Sequence, residues 1–371
     1  MIQSTHPAFF WIGLSSILGV GRITFRKLVD HFGSPERALS ASHDELKKVD
    51  GLSDKIITEI KASSWREHAE REIAKAADTD ITIITMDNPA YPDNLRKTPD
   101  PPLYLYVKGL LQPQDKNAVA IVGTRKPTHY GRTVTHRIAY ELASAGFTIV
   151  SGMARGIDTQ AHRGALAAKG KTIAVLGCGI DVAYPPENRY LMEEIAGNGA
   201  VITENPFGTK PEAGYFPARN RIISGFSRGT VIIEAAEDSG SLITAKNTIE
   251  QGRRLFAVPG NIGTSTSRGP NSLIKQGATL VEGADDILKV MGMQTQSLRQ
   301  AVKSRPLPSL TQEENIVFQC ITNEPKHIDF IMNECRSTAG RLSGVLINLE
   351  LKGLAKQLPG KYFVRQDICK E

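Results

Sequence analysis

Short apolar runs recur along the middle of the chain, each separated from the next by a stretch of helical length. The runs lie at 118–122, 147–150, 172–176, 200–202, 230–233 and 255–258. A continuous apolar run of this length is typical of a strand that is buried on both faces of a sheet. Because room for one helix follows each strand, the pattern predicts an α/β core built on a doubly wound parallel sheet.

The segments between the runs predict one helix in each connection. The predicted helices lie at 130–145, 156–169, 188–196, 217–226, 241–251 and 271–276. Before the first central strand, a proline-rich segment separates two further apolar runs at 81–85 and 103–107. Proline excludes a helix there, so the two runs predict an antiparallel extension of the sheet. The core is therefore expected to be an extended Rossmann-like sheet over 71–292.

The first 70 residues follow the helical period instead. Gly19-Val20-Gly21 separates two apolar helical stripes, and Gly51-Leu52-Ser53 separates two more. This arrangement resembles a tandem helix-hairpin-helix module of the SAM-like form, which predicts an all-α domain over 1–70. Two interpretations of the glycine hairpins stay open. Their backbone N–H groups contact a DNA phosphate, or they are tight structural turns without a ligand.

Residues 293–310 have no periodicity and are predicted to be a linker to a third domain. Thr311 and Glu314 form the capping-box pattern that opens a helix. A further helical stripe and a β-hairpin pattern follow it. Helices that end in a hairpin resemble a winged-helix domain, which we expect over 311–371. Binding of duplex DNA and docking of a protein are equally open as its role.

Composition indicates in which compartment the protein works and which charge its partner carries. Of 371 residues, 40% are hydrophobic and 23% are charged, as in ordinary globular proteins. The net charge of +6 favours an anionic partner, although weakly. The 4 cysteines lack the spacing of a zinc site or a disulfide framework. A reducing cytoplasm is therefore expected, and the absence of a signal-peptide pattern and of an apolar run near 20 residues argues against a membrane.

Small, polar and basic residues follow the predicted strands at their carboxyl ends. Parallel sheets bind ligands at this edge, and helix N-termini bind phosphate through unpaired N–H groups. Four clusters of such residues predict an anion-binding surface that is broader than one nucleotide needs. The clusters are Gly123, Thr124, Arg125 and Lys126; Ser151, Gly152 and Arg155; Phe216, Arg219, Asn220 and Arg221; and 238–241.

Alternatives stay open for the third cluster. Arg219 and Arg221 contact phosphate, or they pair with Glu204 and Glu234, which should also lie near strand ends. The Phe216 ring stacks on a nucleobase, or it packs in the protein interior.

No catalytic residue, metal site or cofactor is predicted. Asp158 and His162 lie four residues apart on a predicted helix and offer a metal pair, but an ordinary helix pair explains them better. The glycine fingerprint of dinucleotide-binding folds does not follow the first central strand, and no Walker A sequence occurs. A Rossmann-type nucleotide-binding or nucleotide-cleaving enzyme is nevertheless the main alternative to a DNA-binding protein. A sequence-specific regulator that acts through the winged helix is the third.

Eight spaced motifs occur in order along the predicted sheet and identify a family. They are IVGTR from Ile121, SGMARGID from Ser151, AH from Ala161, VLGCG from Val175, YPPEN from Tyr184, FPARNRIISG from Phe216, SGSL from Ser239 and FAVPG from Phe256. Together they are similar to the DprA/Smf family of DNA-processing proteins of natural transformation. The resemblance is dense over 80–290 and specific, because many motifs agree at once.

The resemblance implies a non-enzymatic protein that binds single-stranded DNA, forms a homodimer through its Rossmann-like domain and loads the RecA recombinase. The DNA site that it implies contains Arg125, Ser151, Gly152, Arg219, Asn220, Arg221 and, less securely, Lys275. Because the linker has no pattern that would hold the last domain rigidly, 71–292 alone is expected to be soluble, dimeric and able to bind oligo-dT.

Overall fold

A nine-stranded sheet forms the centre of the computed structural model, which describes residues 5–62, 64–292, 309–322 and 324–365. The strands are β1 (Ile81–Thr85), β2 (Tyr104–Gly109), β3 (Ala118–Gly123), β4 (Thr148–Ser151), β5 (Thr172–Val175), β6 (Ala200–Thr203), β7 (Gly229–Ile233), β8 (Arg254–Ala257) and β9 (Thr279–Leu280). Their order is β1-β2-β6-β5-β4-β3-β7-β8-β9. β3 to β9 are parallel, and β1 and β2 add an antiparallel edge. The predicted extended, doubly wound sheet is confirmed.

Helices cover both faces of this sheet. They are α7 (Asp93–Arg96), α8 (His129–Ser144), α9 (Ile157–Ala167), α10 (Arg189–Asn198), α11 (Tyr215–Phe226), α12 (Gly240–Glu250), α13 (Arg268–Lys275) and α14 (Ala284–Val290). Ile121 of β3 faces the cluster that contains α8, α9 and α14, and Val122 faces the cluster that contains α11 and α12. The central strands are thus buried on both sides, as their apolar runs predict.

The proline-rich segment between β1 and β2 contains the short helix α7, so the expectation that it holds no helix was wrong. Asp93–Arg96 fits between Pro92, which is its N-cap, and Pro99, so no proline interrupts the helix.

Two elements at the end of the sheet were also not predicted from the sequence. β9 is only two residues long and lies at the edge, with Leu280 46% exposed, so it lacks the apolar run of a central strand. α14 follows it directly and buries Ile287 and Leu288 against α8. α11 also begins two residues before the predicted start, at Tyr215. Pro217 nevertheless lies in its first turn, where the missing N–H costs little.

Six helices precede the sheet and share a core with it. They are α1 (Phe9–Ser16), α2 (Arg22–Phe32), α3 (Pro35–Ser40), α4 (His43–Leu46), α5 (Asp54–Lys61) and α6 (Ser64–Ala77). Phe9 and Trp65 belong to the same apolar cluster as Tyr104 and Tyr106 of β2. The expected all-α arrangement of this region is present, but its apolar face closes on the antiparallel edge of the sheet.

The predicted division between 1–70 and 71–292 falls inside α6. The second half of this helix is tied to the sheet edge, because Glu72 Oε2 accepts hydrogen bonds from Tyr106 Oη at 2.6 Å and from the Phe207 backbone N–H at 3.0 Å. The sequence places a boundary there because the helical period ends nearby. It does not reveal that the helix packs on both regions.

The C-terminal region has the winged-helix arrangement predicted for it. Its elements are α15 (Gln312–Cys320), β10 (Lys326–His327), α16 (Ile328–Cys335), α17 (Ala339–Leu351), β11 (Ala355–Leu358) and β12 (Tyr362–Arg365). The capping box at Thr311 and Glu314 is formed. Leu342, Leu346 and Leu349 of α17 are buried in a separate apolar cluster. Of the predicted linker, only residues 309 and 310 are described.

None of the helices in the described ranges, 5–62, 64–292, 309–322 and 324–365, has the length and apolarity to cross a bilayer. No group of three or more His, Cys, Asp or Glu side chains in those ranges is arranged to hold a metal ion.

Candidate nucleic-acid interface

A small cavity opens at the carboxyl ends of β3, β4 and β5. It encloses about 20 Å³, room for a water molecule but not for a nucleotide. Residues from three of the four predicted clusters line it. Those residues are Arg125, Gly152, Arg155, Phe216 and Arg219, joined by Gly177, Cys178, Tyr184 and Pro185.

Arg219 forms the floor of the cavity. Its side chain is buried, and its Nη1 donates to the backbone oxygens of Gly152 and Val175. Its Nε donates to Asn220 Oδ1 at 3.1 Å, and Asn220 Nδ2 donates to the Gly240 oxygen at 3.2 Å. Burial lowers the pKa of Arg219, while nearby Asp158 opposes this effect. Burial and these hydrogen bonds fix the Arg219 guanidinium in one position at the floor of the cavity.

The Phe216 ring lies close to two guanidinium groups at the rim. Arg125 Cζ is 5.5 Å and Arg219 Cζ is 5.9 Å from the ring centroid, within cation–π range. The Tyr184 ring is 5.6 Å away and tilted by 36°. Phe216 is half-buried, so it packs on the cavity wall and still presents part of its surface. The structure shows the packing of this ring within the protein, and its stacking on a nucleobase stays a prediction.

Two glycines make room for these side chains. A Cβ atom on Gly152 would lie 2.5 Å from Arg219 Nη1, and one on Gly177 would lie 2.9 Å from Phe216 Cδ1. Contacts this short are not tolerated between real atoms, so the glycines of both motifs are required by the neighbouring side chains rather than by a turn.

Asp158 and His162 are buried beneath the cavity and have different partners. Asp158 Oδ2 accepts from the backbone N–H groups of Gly152 at 3.1 Å and Ala154 at 3.3 Å. Burial raises the pKa of Asp158 to about 6 although Arg219 opposes the shift. His162 Nδ1 contacts Thr172 Oγ1 at 2.7 Å, and burial lowers the pKa of His162 to about 3. They do not form the metal pair that their spacing offered.

The exposed cations of the site are Arg125, Lys126 and Arg155. Arg155 pairs with Glu187 through Nη2 and Oε2 at 3.1 Å, and both side chains are about half exposed. Pairs in such contact with water are weak, so a phosphate can compete with the carboxylate for Arg155. These three residues could supply the outer cationic surface that the sequence predicts.

Ser151, Gly152 and Thr124 use their polar groups within the protein. Ser151 Oγ donates to the Ile121 oxygen at 2.6 Å and is fully buried. The Gly152 N–H is held by Asp158, and the Thr124 N–H donates to the Glu234 oxygen at 2.7 Å. Of these three residues and Gly123, which ends β3, only Gly152 lines the cavity. Their predicted contact with DNA stays a prediction.

Arg221 and Lys275 lie outside the cavity. Arg221 pairs with Glu204, as the carboxylate alternative proposed, and also with Asp100. Glu234 instead holds Thr128, the N-cap residue of α8, because it accepts from the Thr128 backbone N–H at 2.8 Å and from the Thr128 hydroxyl. Lys275 is exposed at the end of α13, which follows β8, two strands away from β3.

Sequence reasoning missed Tyr184 and Asn188 as site residues. Asn188 Nδ2 donates to the Met153 oxygen at 3.0 Å and to Thr159 Oγ1 at 2.9 Å, which fixes the loop after β4. Both belong to the YPPEN motif, which was noted for the resemblance only. The position of this motif after a predicted strand was the signal from which Tyr184 and Asn188 could have been predicted.

Comparison with known proteins shows the family. The model described as DNA recombination-mediator protein A matches residues 82–292, and the model described as the DprA winged helix domain matches 301–361. The chain belongs to the DprA/Smf family. The resemblance carried by its motifs is thereby confirmed.

Relatives of this family resemble nearly the whole chain. Protein Smf of Synechocystis is 34% identical over 96% of this chain and 98% of its own. The X-ray structure of DprA from Streptococcus pneumoniae is 33% identical, with a TM-score of 0.66 over 76% of this chain and 95% of that one. The DprA structure from Helicobacter pylori, whose title describes a single-stranded DNA binding mode, is 33% identical, with a TM-score of 0.52 over 57% of this chain and 95% of that one.

Proposed function

We propose that this DprA/Smf family member binds single-stranded DNA at the cavity and passes it to a RecA recombinase during DNA uptake. The observation that carries the proposal is the half-buried Phe216 ring, which lies within cation–π range of both Arg125 and the buried Arg219. Such a group offers an aromatic surface to a base and two cations to the adjoining phosphates. The Helicobacter pylori relative, described as binding single-stranded DNA, supports it.

The size of the cavity favours a strand lying across it over a nucleotide enclosed within it. About 20 Å³ is too small for a nucleotide, whereas a phosphate and a base edge can rest at its mouth. This supports a DNA-binding protein over a Rossmann-type nucleotide enzyme. Exposed Arg125, Lys126 and Arg155 then neutralise neighbouring phosphates of the strand.

The proposed role includes no chemistry on the DNA. The carboxylates near the cavity are engaged by protein groups: Glu204 by Arg221, Glu234 by Thr128, Glu187 by Arg155, and Asp158 by two backbone N–H groups. A metal-dependent nuclease needs carboxylates that are available for metal ions or for a water molecule. These contacts support a protein that holds and transfers a strand.

A homodimer formed through the Rossmann-like domain in the cytoplasm completes the proposal. Ile243 and Ile249 of α12 and Leu280 of β9 are apolar and 40%, 60% and 46% exposed. We propose that the second copy packs on these exposed side chains. The family description as a recombination mediator supports the transfer of DNA to RecA.

Oligo-dT affinity, measured by fluorescence anisotropy, tests the proposal. Arg125→Ala should weaken binding about tenfold, because it removes a phosphate contact and one of the two guanidinium groups near the Phe216 ring. Arg163→Ala removes an exposed arginine from α9 and is the matched control, for which we expect unchanged affinity. Equal affinity of folded Arg125→Ala and the parent protein would contradict the assigned site.

A cleavage assay separates the proposed role from an enzymatic one. We expect oligo-dT to stay intact with Mg²⁺ or Mn²⁺, and RecA filaments to form faster on DNA coated with single-strand-binding protein. Metal-dependent cleavage that disappears in Glu204→Gln or Glu234→Gln would place the protein among nucleases.

A further inference from the structure

A cluster of three arginines and two carboxylates joins the N-terminal helices to the sheet. Arg22 and Arg26 belong to α2, Arg221 belongs to α11, Asp100 precedes β2, and Glu204 follows β6. Three positive and two negative groups give the cluster a net charge of +1. It lies outside the cavity, but α11 also carries Phe216 and Arg219.

Asp100 is the centre of this cluster because it contacts all three arginines. Its Oδ2 lies 3.1 Å from Arg22 Nη2 and 3.1 Å from Arg221 Nε, and its Oδ1 lies 3.3 Å from Arg26 Nη2. Its backbone oxygen accepts from Arg221 Nη1 at 2.8 Å. Arg26 also donates to the oxygens of Pro99 at 2.6 Å and Pro101 at 3.3 Å. α2 and α11 thus hold the same short segment from two sides.

Glu204 forms a second bridge between the two helices. Its Oε2 accepts from Arg221 Nη2 and lies 3.4 Å from Arg22 Nη1. The Arg221 and Glu204 side chains are 10% and 17% exposed, so salt screens this pair less than a surface pair. Removing one member of such a pair leaves a poorly solvated charge, which the structure relieves by moving.

Arg221 transmits its position to the cavity through α11. It lies two residues after Arg219 and five after Phe216 on the same helix. Its backbone oxygen accepts from Gln251 Nε2 at 3.0 Å, so both ends of the residue are fixed. Because a helix moves as a rigid element, a shift at Arg221 displaces the Phe216 ring and the Arg219 guanidinium together.

We propose that α2 is a positioning element for the single-stranded DNA site, acting through Asp100, Glu204 and Arg221 on α11. The inference rests on the proposed function, since it concerns the geometry of that same site. Arg22, Arg26 and Asp100 are positioning residues that do not touch the DNA. The glycine hairpin before α2 then has a structural role, in which its next residue, Arg22, docks on the sheet.

Asp100→Asn tests the inference by the sign of its effect. The substitution keeps the side-chain shape but removes all three ion pairs, and it raises the cluster charge to +2. Charge attraction alone predicts tighter binding of oligo-dT. Loss of positioning predicts weaker binding, by between about 2-fold and 30-fold, together with faster hydrogen exchange of α11 amides in the full chain.

The salt dependence of Arg26→Ala provides the second test. A positioning residue should lower the affinity and leave the log–log salt slope unchanged, whereas loss of a phosphate contact lowers the slope by about 0.7. Arg37→Ala, an exposed arginine of α3, is the matched control and should bind like the parent.

The outcomes separate the inference from the function on which it rests. Unchanged or tighter binding by Asp100→Asn, or a lower slope for Arg26→Ala, would overturn the positioning role. If Asp100→Asn is unfolded at the assay temperature, Arg26→Ala decides alone, because it removes only one of the three contacts of the Asp100 carboxylate. Failure of the parent protein itself to bind oligo-dT would instead reject the proposed function.

Discussion

The helical regions at the two ends of the chain close their apolar faces in different ways. Phe9, Leu14 and Trp65 of the N-terminal helices lie in one cluster with Tyr106 of β2 and Ile195 of α10. The C-terminal cluster contains residues of its own region, among those described. An amphipathic pattern shows that a face is buried, but the partner of that face decides whether a region is an independent domain.

Polar contacts follow the same division. Glu72 of α6 bonds to Tyr106, and α2 contributes two arginines to the cluster around Asp100. In the C-terminal region, Lys352 pairs with Glu314 and Lys326 pairs with Glu334, within that region. The N-terminal helices are therefore joined to the sheet by polar contacts, whereas both of these C-terminal ion pairs lie within the winged helix.

The largest expected effect comes from removing the N-terminal helices. A fragment covering 71–292 lacks the N-terminal part of the cluster that covers Ile83, Leu103 and Tyr104. Full burial of an apolar side chain such as Ile83 or Leu103 contributes about 1.5–3 kcal/mol. The loss of this shared core is comparable with the whole stability of a domain, roughly 5–15 kcal/mol. We expect the fragment to aggregate, contrary to the expectation from sequence, as measured by its soluble fraction and size-exclusion profile.

The matched control is the fragment 1–308, which keeps the shared core and should stay soluble. A monodisperse 71–292 fragment with a cooperative melting transition would show that the two regions are separable.

Paired core substitutions sharpen the comparison with a smaller effect. Leu14 is 0% and Leu346 is 1% exposed, and Leu→Ala at buried positions costs about 2–5 kcal/mol. We expect Leu346→Ala to lower only the transition of the winged helix, and Leu14→Ala to lower the transition that includes the sheet. Differential scanning calorimetry of the full chain measures both. A single transition shifted equally by both changes would contradict the division.

The sequence predicted the elements of the sheet because their signals are local. The apolar run at 118–122 and the glycine after it are sufficient to place β3, and the capping box places the start of α15. β9 was not predicted, because its two half-exposed residues form no apolar run. A strand or helix can be predicted from the sequence where both of its faces are extensively buried.

The site was predicted in outline for the same reason, and its internal contacts were not. Strand order brings the motifs of Arg125, Gly152 and Arg219 to one edge, and the structure places them around one cavity. The contact of Arg22 with Glu204 spans 182 residues. Nothing in the sequence near Arg22 or Glu204 indicates the other residue. The sequence therefore could not predict that Arg219 lines the cavity while Arg221 joins the cluster around Asp100.

We expect the region that contains the sheet to lose free energy of unfolding as the pH falls. Thr172 Oγ1 donates to the Ile149 oxygen at 2.8 Å, so His162 Nδ1 is the donor in its contact with Thr172. His162 Nε2 is buried without a partner among the described residues, and protonation would place a charge there. With a pKa of about 3 when folded and 6.5 when unfolded, neutral His162 supports stability fully above pH 6.5.

That stability should decrease by about 1.4 kcal/mol per pH unit as the pH falls below 6.5, until about pH 3. His162→Gln removes this titration, so the difference in unfolding free energy between parent and variant should shrink by that amount. Urea unfolding at pH 7.0, 6.0 and 5.0 measures it. Parallel pH profiles of the two proteins would show that His162 is not the sensitive group.

The smallest expected effect is that of the winged helix on single-stranded DNA. The cavity is lined by residues between Arg125 and Arg219, so the fragment 1–308 should bind a short oligo-dT within about twofold of the full chain. Its salt slope should also be unchanged, because the same phosphates are neutralised. Duplex competitor distinguishes the roles left open for the winged helix: if that region binds duplex DNA, only the full chain is inhibited through it. A tenfold loss of oligo-dT affinity in 1–308 would instead make the winged helix part of the site, and the two ends of the chain would then serve the same surface.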